Sequence, residues 1–229
     1  MARNHVGPIP DDITRPVRVN ENQRRTVAMA ASLLLDYPGE DFGERIAAVD
    51  THLEQLPPAI AEQFAAFTDA ARTMGRRGVE EHYVETFDQR RRCSLFLSYY
   101  SVGDTRTRGT AILAFRQALA QLGFEEQREE LPDHLCVVLE AVALSEGKQH
   151  AQTVELLAAH RDGLEVLRTA LSTFNSPFAH LIVAVAMSLP KIDAETTHSY
   201  LDLIRSGPPA ELVGIGTPLP FPTAQPDIP

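Results

Sequence analysis

Apolar residues along this chain recur three and four positions apart, the spacing of one face of an α-helix. The first such run carries Val27, Leu34 and Leu35. Asn20 precedes it, with Gln23 three residues later, and this pair predicts a capping box at the start of the helix. No stretch alternates apolar and polar residues between turn signals. The pattern therefore predicts helices and no strands.

Glycine and proline predict where the later helices end. Gly75 is placed for a left-handed C-terminal cap, and a basic turn is expected after it over residues 76–78. Residues 149–174 form one long apolar run, which Gly163 is expected to divide into two helices. Further helices are predicted over residues 42–53, 60–74, 106–122, 132–142, 178–189 and 194–205.

These helices predict one all-α domain, a single helical bundle over residues 20–206. The chain of 229 residues is long enough to bury a substantial core. Residues 1–19 contain three prolines and no apolar period, so we expect a flexible arm there. Residues 207–229 hold seven prolines, too many for a helix or a strand, and are expected to form a disordered tail.

The charge and cysteine content narrow the class of function. Lys and Arg total 21 against 31 Asp and Glu, a formal net charge of −10, which disfavours nucleic acid as the main partner. Two cysteines are too few for a disulfide framework or a CxxC metal site, so we expect a reduced, cytoplasmic setting. No signal-peptide pattern and no apolar run long enough to span a membrane is visible.

Residues 83–109 differ in composition from the rest of the chain. This 83–109 segment carries five aromatic residues and five arginines among helices made mostly of Ala, Leu and Val. We expect its middle, residues 93–97, to be buried. Its two ends, residues 83–88 and 99–108, are expected to form an exposed surface together with the helix that starts at Pro132.

Candidate catalytic groups are weak in this sequence. Asp133 and His134 could form a general base, but adjacent helical residues do not face each other, so capping of the helix by Asp133 is the favoured interpretation. Cys93 begins an apolar stretch, which favours packing over nucleophilic catalysis. No metal-ligand spacing and no phosphate-binding loop is found. We therefore expect no enzyme activity, no metal and no cofactor.

Four motifs carry a family resemblance. They are YVETFD (83–88), RRCSLFLSYY (91–100), GDTRTRG (103–109) and LPDHL (131–135). In this order they resemble the signatures of the NarJ-type nitrate reductase molybdenum cofactor assembly chaperones. Those proteins belong to the all-helical redox enzyme maturation chaperones, which include TorD and DmsD. The resemblance covers roughly residues 25–205.

The resemblance implies a cytoplasmic chaperone without catalytic activity. It would bind the apo form of the catalytic (alpha) subunit of respiratory nitrate reductase, including its N-terminal segment. It would permit molybdenum cofactor insertion and assembly before the complex docks at the membrane. By the same resemblance, the residues that contact the client peptide are Tyr83, Phe87, Asp88, Tyr99, Tyr100, Asp104, Arg106, Asp133, His134 and Glu140.

Within that set, Asp88, Asp104 and Glu140 are the candidates for contacting client arginines, and about half of the ten are expected to maintain the fold instead. Other functions stay open. Arg106, Arg108 and His134 would suit a helical nucleotide-binding protein, and a chaperone for a different molybdoenzyme is also possible. A transcription regulator with a basic patch at residues 90–92 is disfavoured by the acidic charge.

Overall fold

The computed structural model describes residues 13–103, 106–125 and 130–191, together with residues 194, 195, 198 and 202. This described part contains nine α-helices and no strand, which confirms the all-α prediction. The α-helices are α1 (Glu21–Leu35), α2 (Phe42–Asp50), α3 (Pro58–Tyr83), α4 (Leu97–Val102), α5 (Arg108–Gln121), α6 (Leu135–Leu144), α7 (Gly147–Ala159), α8 (Arg161–Thr173) and α9 (Phe178–Ser188). Short 3-10 turns lie at Leu53–Gln55 and Arg91–Cys93, and a π-helical turn lies at Val84–Asp88.

Helices α1 and α9 lie at the centre of the bundle. α1 packs against α6 and α9, and α9 packs in addition against α3 and α8. The apolar faces predicted from the sequence meet there, with Val27 and Leu34 of α1, Leu139 of α6 and Phe178 of α9 all buried. Burying these faces against one another supplies the main driving force for the bundle.

The start of α1 matches the prediction in detail. The backbone N–H of Gln23 donates to Oδ1 of Asn20 at 2.8 Å, and the backbone N–H of Asn20 donates to Oε1 of Gln23 at 3.0 Å. This reciprocal pair satisfies two backbone donors that the first turn of a helix leaves without partners. The predicted capping box is therefore confirmed.

The basic turn predicted after Gly75 is wrong. Gly75 does adopt a left-handed φ of +69° at the predicted cap position, where two helical segments meet at a kink inside α3, but residues 76–78 are helical and the second segment runs on to Tyr83. Beyond the kink Arg76 pairs with Glu80 at 3.3 Å, and Arg77 pairs with Glu81. These pairs, four residues apart, favour the helical conformation that a turn would lose.

The break predicted at Gly163 is also misplaced. α7 and α8 meet at His160, three residues earlier, and Gly163 lies buried inside α8. A Cβ atom at Gly163 would lie 2.8 Å from the Cβ of Tyr100 on α4. The glycine therefore permits the close approach of α4 and α8, and it does not interrupt the helix.

Residues 13–19 run without helix across α8 and α9. Thr14 donates from its backbone N–H and its hydroxyl to the buried carboxylate of Glu165, at 3.0 and 3.2 Å. The N–H of Val17 donates to the carbonyl of Met187. Residues 1–12, most of the helix predicted over 194–205, and the proline-rich tail lie outside the described residues. In the described part, no helix is both long and apolar enough to cross a membrane.

Candidate functional site

The 83–109 segment changes conformation several times between α3 and α5. The π-helical turn Val84–Asp88 follows α3 directly, and the 3-10 turn Arg91–Cys93 follows it. The expected burial of residues 93–97 holds for Cys93, Leu95 and Leu97, whereas Phe96 is only half-buried. The alternation of buried and partly exposed residues shows that this stretch is extended.

This extended stretch pairs with the LPDHL motif through the backbone. The N–H of Leu97 donates to the carbonyl of Asp133 at 2.8 Å, and the N–H of Leu135 donates to the carbonyl of Leu95 at 2.7 Å. The two bonds form one antiparallel bridge, which sets Phe96 opposite His134. The middle of the 83–109 segment therefore lies beside the start of α6, which begins at Leu135 and not at Pro132 as predicted.

A depression of about 320 Å³ opens where these elements meet. We call it the aromatic pocket, and its lining residues are Tyr83, Phe87, Asp88, Arg90, Arg91, Ser94, Leu95, Phe96, Tyr99, Arg108, Glu130 and His134. Five of the ten residues implied by the family resemblance line it, namely Tyr83, Phe87, Asp88, Tyr99 and His134. The structure thus brings half of that set to one place.

One wall of the pocket is a cluster of aromatic rings. The ring centroids of Tyr83 and Phe87 are 4.8 Å apart, and Phe87 meets Phe178 of the core edge-on at 4.9 Å. Tyr37 packs edge-on against the other side of Tyr83 at 5.4 Å. Burial raises the pKa of Tyr83 well above its usual range, so its hydroxyl stays protonated. The contacts between rings make this wall preformed.

Three arginines surround the other side of the pocket. The guanidinium carbon of Arg90 lies 3.9 Å from the ring centroid of Phe174, and that of Arg108 lies 5.0 Å from the ring centroid of Phe96. Arg91 is exposed. The two cation–π contacts hold the charged groups at fixed places beside the aromatic wall.

Asp133 lies behind the pocket, fully buried. One of its oxygens accepts a hydrogen bond from the hydroxyl of Ser98, and the other has no partner among the described residues. Burial raises the pKa of the Asp133 carboxyl, while the Ser98 hydrogen bond and the charge of Arg108 act in the opposite direction. Asp133 therefore fastens α4 to the start of α6 from inside.

The predicted capping of α6 by Asp133 is wrong. His134 occupies the cap position, and its Nδ1 accepts from the backbone N–H of Cys136 at 3.3 Å. Asp133 is withdrawn from the helix end because its carboxylate turns inward to Ser98. The imidazole supplies the acceptor that the first turn of the helix needs.

Tyr100 also supports the pocket from behind. Its side chain is buried against Gly163, and its hydroxyl donates to the carbonyl of Ser94 at 2.8 Å. Burial raises the pKa of this phenol, so it remains a donor at neutral pH. Because Ser94 lines the pocket, Tyr100 shapes it without facing its occupant.

The other residues of the set lie elsewhere. Arg106 is exposed, and Asp104 lies outside the described residues. Glu140 lies on α6 and borders a second depression of about 800 Å³, the α5–α6 groove. Its lining residues are Arg116, Leu119, Ala120, Gly123, Phe124, Glu125, Glu130, Val137, Glu140, Ala141 and Leu144. Glu130 lines both depressions, so they adjoin each other.

The sequence-based set omitted several residues of the aromatic pocket. Arg90, Arg91, Phe96, Arg108 and Glu130 line it but were not among the ten. Arg90 and Arg91 resemble an ordinary solvated turn in sequence, so only the path of the backbone in the structure shows that they line the pocket. Phe96 was detectable, because it lies inside the RRCSLFLSYY motif. Among the described residues, no three His, Cys, Asp or Glu side chains are placed to hold a metal ion.

Comparison with known proteins decides the family. The model of the nitrate reductase delta subunit family matches residues 53–184, more than half of the chain. The chain belongs to this family. The matched residues include the 83–109 segment and the LPDHL motif, so the family resemblance drawn from the four motifs is confirmed.

Individual members of the family differ in how much of their length this chain covers. The nitrate reductase-like protein NarX of Mycobacterium tuberculosis is 32% identical over 159 residues, which are 69% of this chain and 24% of NarX. The chain thus spans about a quarter of that relative. The probable nitrate reductase molybdenum cofactor assembly chaperone NarJ of Bacillus subtilis is 26% identical over 76% of this chain and 94% of its own length. NarJ of Escherichia coli is 33% identical over 49% of each chain.

Proposed function

We propose that this protein is a cytoplasmic chaperone for the catalytic subunit of nitrate reductase. It binds the apo subunit, including its N-terminal segment, and permits molybdenum cofactor insertion and assembly before the complex docks at the membrane. The observation that carries this proposal is the aromatic pocket, which gathers Tyr83, Phe87, Asp88, Tyr99 and His134 on one surface of a family member.

The pocket has the properties of a peptide-binding site. Its aromatic side chains combine large apolar areas with few rotatable bonds, so they anchor a partner at low entropic cost. The wall around Tyr83 and Phe87 is already packed against the core residue Phe178. Binding therefore requires little rearrangement of the chaperone, which favours affinity.

The neighbouring α5–α6 groove extends this surface. Its floor is apolar, with Leu119, Phe124 and Val137, and its rim carries Glu125 and Glu140. A helical client segment would lay its apolar face on such a floor. Because Glu130 borders both depressions, one continuous segment can occupy the pocket and the groove together.

The same geometry argues against catalysis by the Asp133 and His134 pair. The carboxylate of Asp133 accepts a hydrogen bond from Ser98 inside the protein. Nδ1 of His134 accepts from the backbone N–H of Cys136 at the start of α6. In a catalytic triad the carboxylate accepts from the imidazole that acts as general base, an arrangement that this pair does not form. Both side chains instead hold the start of α6, which is the structural role that a chaperone surface requires.

Calorimetry with the full chain tests the proposed function. We expect the chaperone to bind the apo catalytic subunit of the nitrate reductase from the same organism. We also expect it to bind a peptide that covers the N-terminus of that subunit. A scrambled peptide of the same composition is the control. Failure to bind both the peptide and the apo subunit would contradict the proposal.

A deletion strain tests the role in assembly. Without this protein, we expect the nitrate reductase to accumulate with a reduced molybdenum cofactor content, which is measured on the purified subunit. Normal cofactor content in the deletion strain would contradict the assembly role. Identification of the client that co-purifies with the chaperone separates nitrate reductase from other molybdoenzymes.

A further inference from the structure

The charge of the aromatic pocket is opposite in sign to the net charge of the protein. The chain has a formal net charge of −10. The pocket, however, is lined by Arg90, Arg91 and Arg108 against two acids, Asp88 and Glu130, which leaves a surplus of one positive charge when His134 is counted as neutral. In so acidic a protein, a concentrated positive site selects for an anionic partner group.

The positive charge of the pocket is only partly offset, by Asp88 and Glu130 on the same lining. None of the three arginines forms an ion pair with a carboxylate of the described residues, whereas Arg25, Arg45 and Arg168 elsewhere do so at 2.7–2.9 Å. The Nε of Arg108 is buried and has no hydrogen-bond partner among the described residues. Because Arg108 lines the pocket and is in no ion pair among the described residues, an acceptor on an incoming ligand can bind its guanidinium without first displacing a carboxylate.

The two ring contacts hold these arginines ready for an acceptor. Arg90 lies over Phe174 and Arg108 over Phe96, so one face of each guanidinium contacts an aromatic ring. A guanidinium in contact with a ring can still donate from its edge, and that edge matches the two oxygens of a carboxylate. Fixing the side chains in advance lowers the entropy lost on binding.

We propose that the aromatic pocket contains a carboxylate subsite, in which Arg108 binds an acidic side chain of the client and the exposed Arg91 on the same lining adds its positive charge. The neighbouring rings of Phe96 and Tyr99 then receive an apolar or aromatic residue beside it. This inference rests on the proposed chaperone function and specifies the client chemistry. It differs from the expectation that acidic residues of the chaperone contact client arginines, because the pocket's positive charge is in surplus.

A peptide carboxylate fits this pocket better than a phosphate group does. Tyr83, Phe87, Phe96 and Tyr99 line the same pocket and offer aromatic contact that the apolar part of a peptide can use and an inorganic phosphate cannot. The volume of about 320 Å³ is at the lower end of the range for ligand pockets and suits one or two side chains. The aromatic lining and the size of the pocket therefore both favour an acidic residue within a polypeptide.

Overlapping peptides that span the catalytic subunit of the nitrate reductase from the same organism provide the test. Binding of each peptide to the full-length chaperone is measured, and in the strongest binder each Asp or Glu is changed in turn to Asn or Gln. We expect one of these changes to weaken binding about tenfold, the effect of losing one charge-assisted hydrogen bond. Inorganic phosphate at equal ionic strength is not expected to displace the peptide.

Substitutions in the chaperone, combined with those in the peptide, complete a double-mutant cycle. Arg108→Gln and Arg91→Gln are each expected to weaken the parent peptide about tenfold and to leave the neutralised peptide unaffected, which is the signature of a direct pair. Arg91 is exposed, so Arg91→Gln is expected to leave the fold intact and keeps the test valid if Arg108→Gln disturbs Phe96. Arg77→Gln is the matched control, since that exposed arginine on α3 pairs only with Glu81 among the described residues.

Three outcomes overturn the subsite. If peptides bind but every neutralisation leaves the affinity unchanged, the carboxylate subsite is wrong while the chaperone function stands. If phosphate displaces the peptide and neutral peptides bind as tightly as the parent, the arginines serve another anion. If neither the peptides nor the apo subunit bind, the proposed function and the subsite fail together.

Discussion

The residues of the family motifs form two layers that differ in what surrounds them. The front layer, with Phe87, Asp88 and Tyr99, lines the aromatic pocket and is at least partly exposed. The back layer, with Tyr100 and Asp133, is buried and makes its hydrogen bonds inside the protein. Adjacent residues such as Tyr99 and Tyr100 thus serve different purposes. A motif therefore contains both residues that line the candidate site and residues that support it from behind, and the structure is needed to tell them apart.

The back layer acts on the front layer through the backbone of the extended stretch. Tyr100 holds the carbonyl of Ser94, and the backbone of Asp133 receives the N–H of Leu97. Phe96 lies between these two points and faces the pocket. We therefore expect substitutions in the back layer to change stability first, and those in the front layer to change binding first.

Tyr100→Ala is expected to have the largest effect on stability. It removes a fully buried aromatic side chain and its hydrogen bond, so we expect the free energy of unfolding to fall by about 3–5 kcal/mol. Tyr100→Phe keeps the ring and is expected to cost about 1 kcal/mol. Urea unfolding measures both. A Tyr100→Ala variant of normal stability that fails to bind the client would place Tyr100 in the front layer.

Gly163→Ala tests the close packing of α4 against α8. The added Cβ would lie 2.8 Å from the Cβ of Tyr100, and we expect the free energy of unfolding to fall by about 1–3 kcal/mol through overpacking. Gly109→Ala on α5 is the matched control, since nothing lies within 4 Å of its added Cβ. Equal stability of the two variants in urea would show that α4 and α8 adjust freely.

The sequence predicted elements better than their junctions. The capping box of Asn20 and Gln23 is local, because both partners lie within one turn, so the residues alone determine it. Gly163 carries no such local information. A glycine at this position can either end a helix or permit another helix to approach closely. At Gly163 the packing of Tyr100, which is distant in sequence, determines that it does the second. The misplaced break between α7 and α8 follows from that ambiguity.

The sequence indicated which elements lie together at the candidate site, but not the contacts its side chains make. The four motifs indicated the right elements, and the Phe96 and His134 bridge brings them together. The burial of Asp133 was not visible, because its partner Ser98 is 35 residues away in sequence. Arg90 and Arg91 were likewise hidden, since a run of basic residues in sequence is most often a solvated surface, whereas Arg108 lies in the stretch 99–108 that was expected to be exposed.

Tyr99→Ala is expected to separate binding from stability. Tyr99 lines the pocket and is only partly buried, so we expect client affinity to fall by about 1–2 kcal/mol and unfolding to change less. Leu113→Ala is the control, because Leu113 is exposed on α5 and does not line either depression. Calorimetry and urea unfolding on the same samples give both values. A larger loss of stability than of affinity would assign Tyr99 to the back layer.

Asp133→Asn is expected to have the smallest effect, visible mainly as a dependence on pH. Burial raises the pKa of Asp133 in the folded protein, so the folded state holds this proton more tightly than the unfolded chain does. The contribution of Asp133 to stability is therefore greatest below its unfolded pKa and is lost as pH rises through the folded pKa. The variant does not titrate there, so its melting temperature relative to the natural protein should rise over that interval and level off above it.

Thermal unfolding of both proteins between about pH 4 and about pH 8 measures this difference. Asp88→Asn is the control, since it removes an exposed carboxylate from the same pocket and surface substitutions of this kind change stability by about 0.5 kcal/mol or less. A difference for Asp133→Asn that falls as pH rises would mean that the folded protein stabilises the ionised carboxylate. The effect of the Arg108 charge on the pKa of Asp133 would then exceed the effect of burial. Asp133 would already offset the positive charge of Arg108 that the pocket offers to a client.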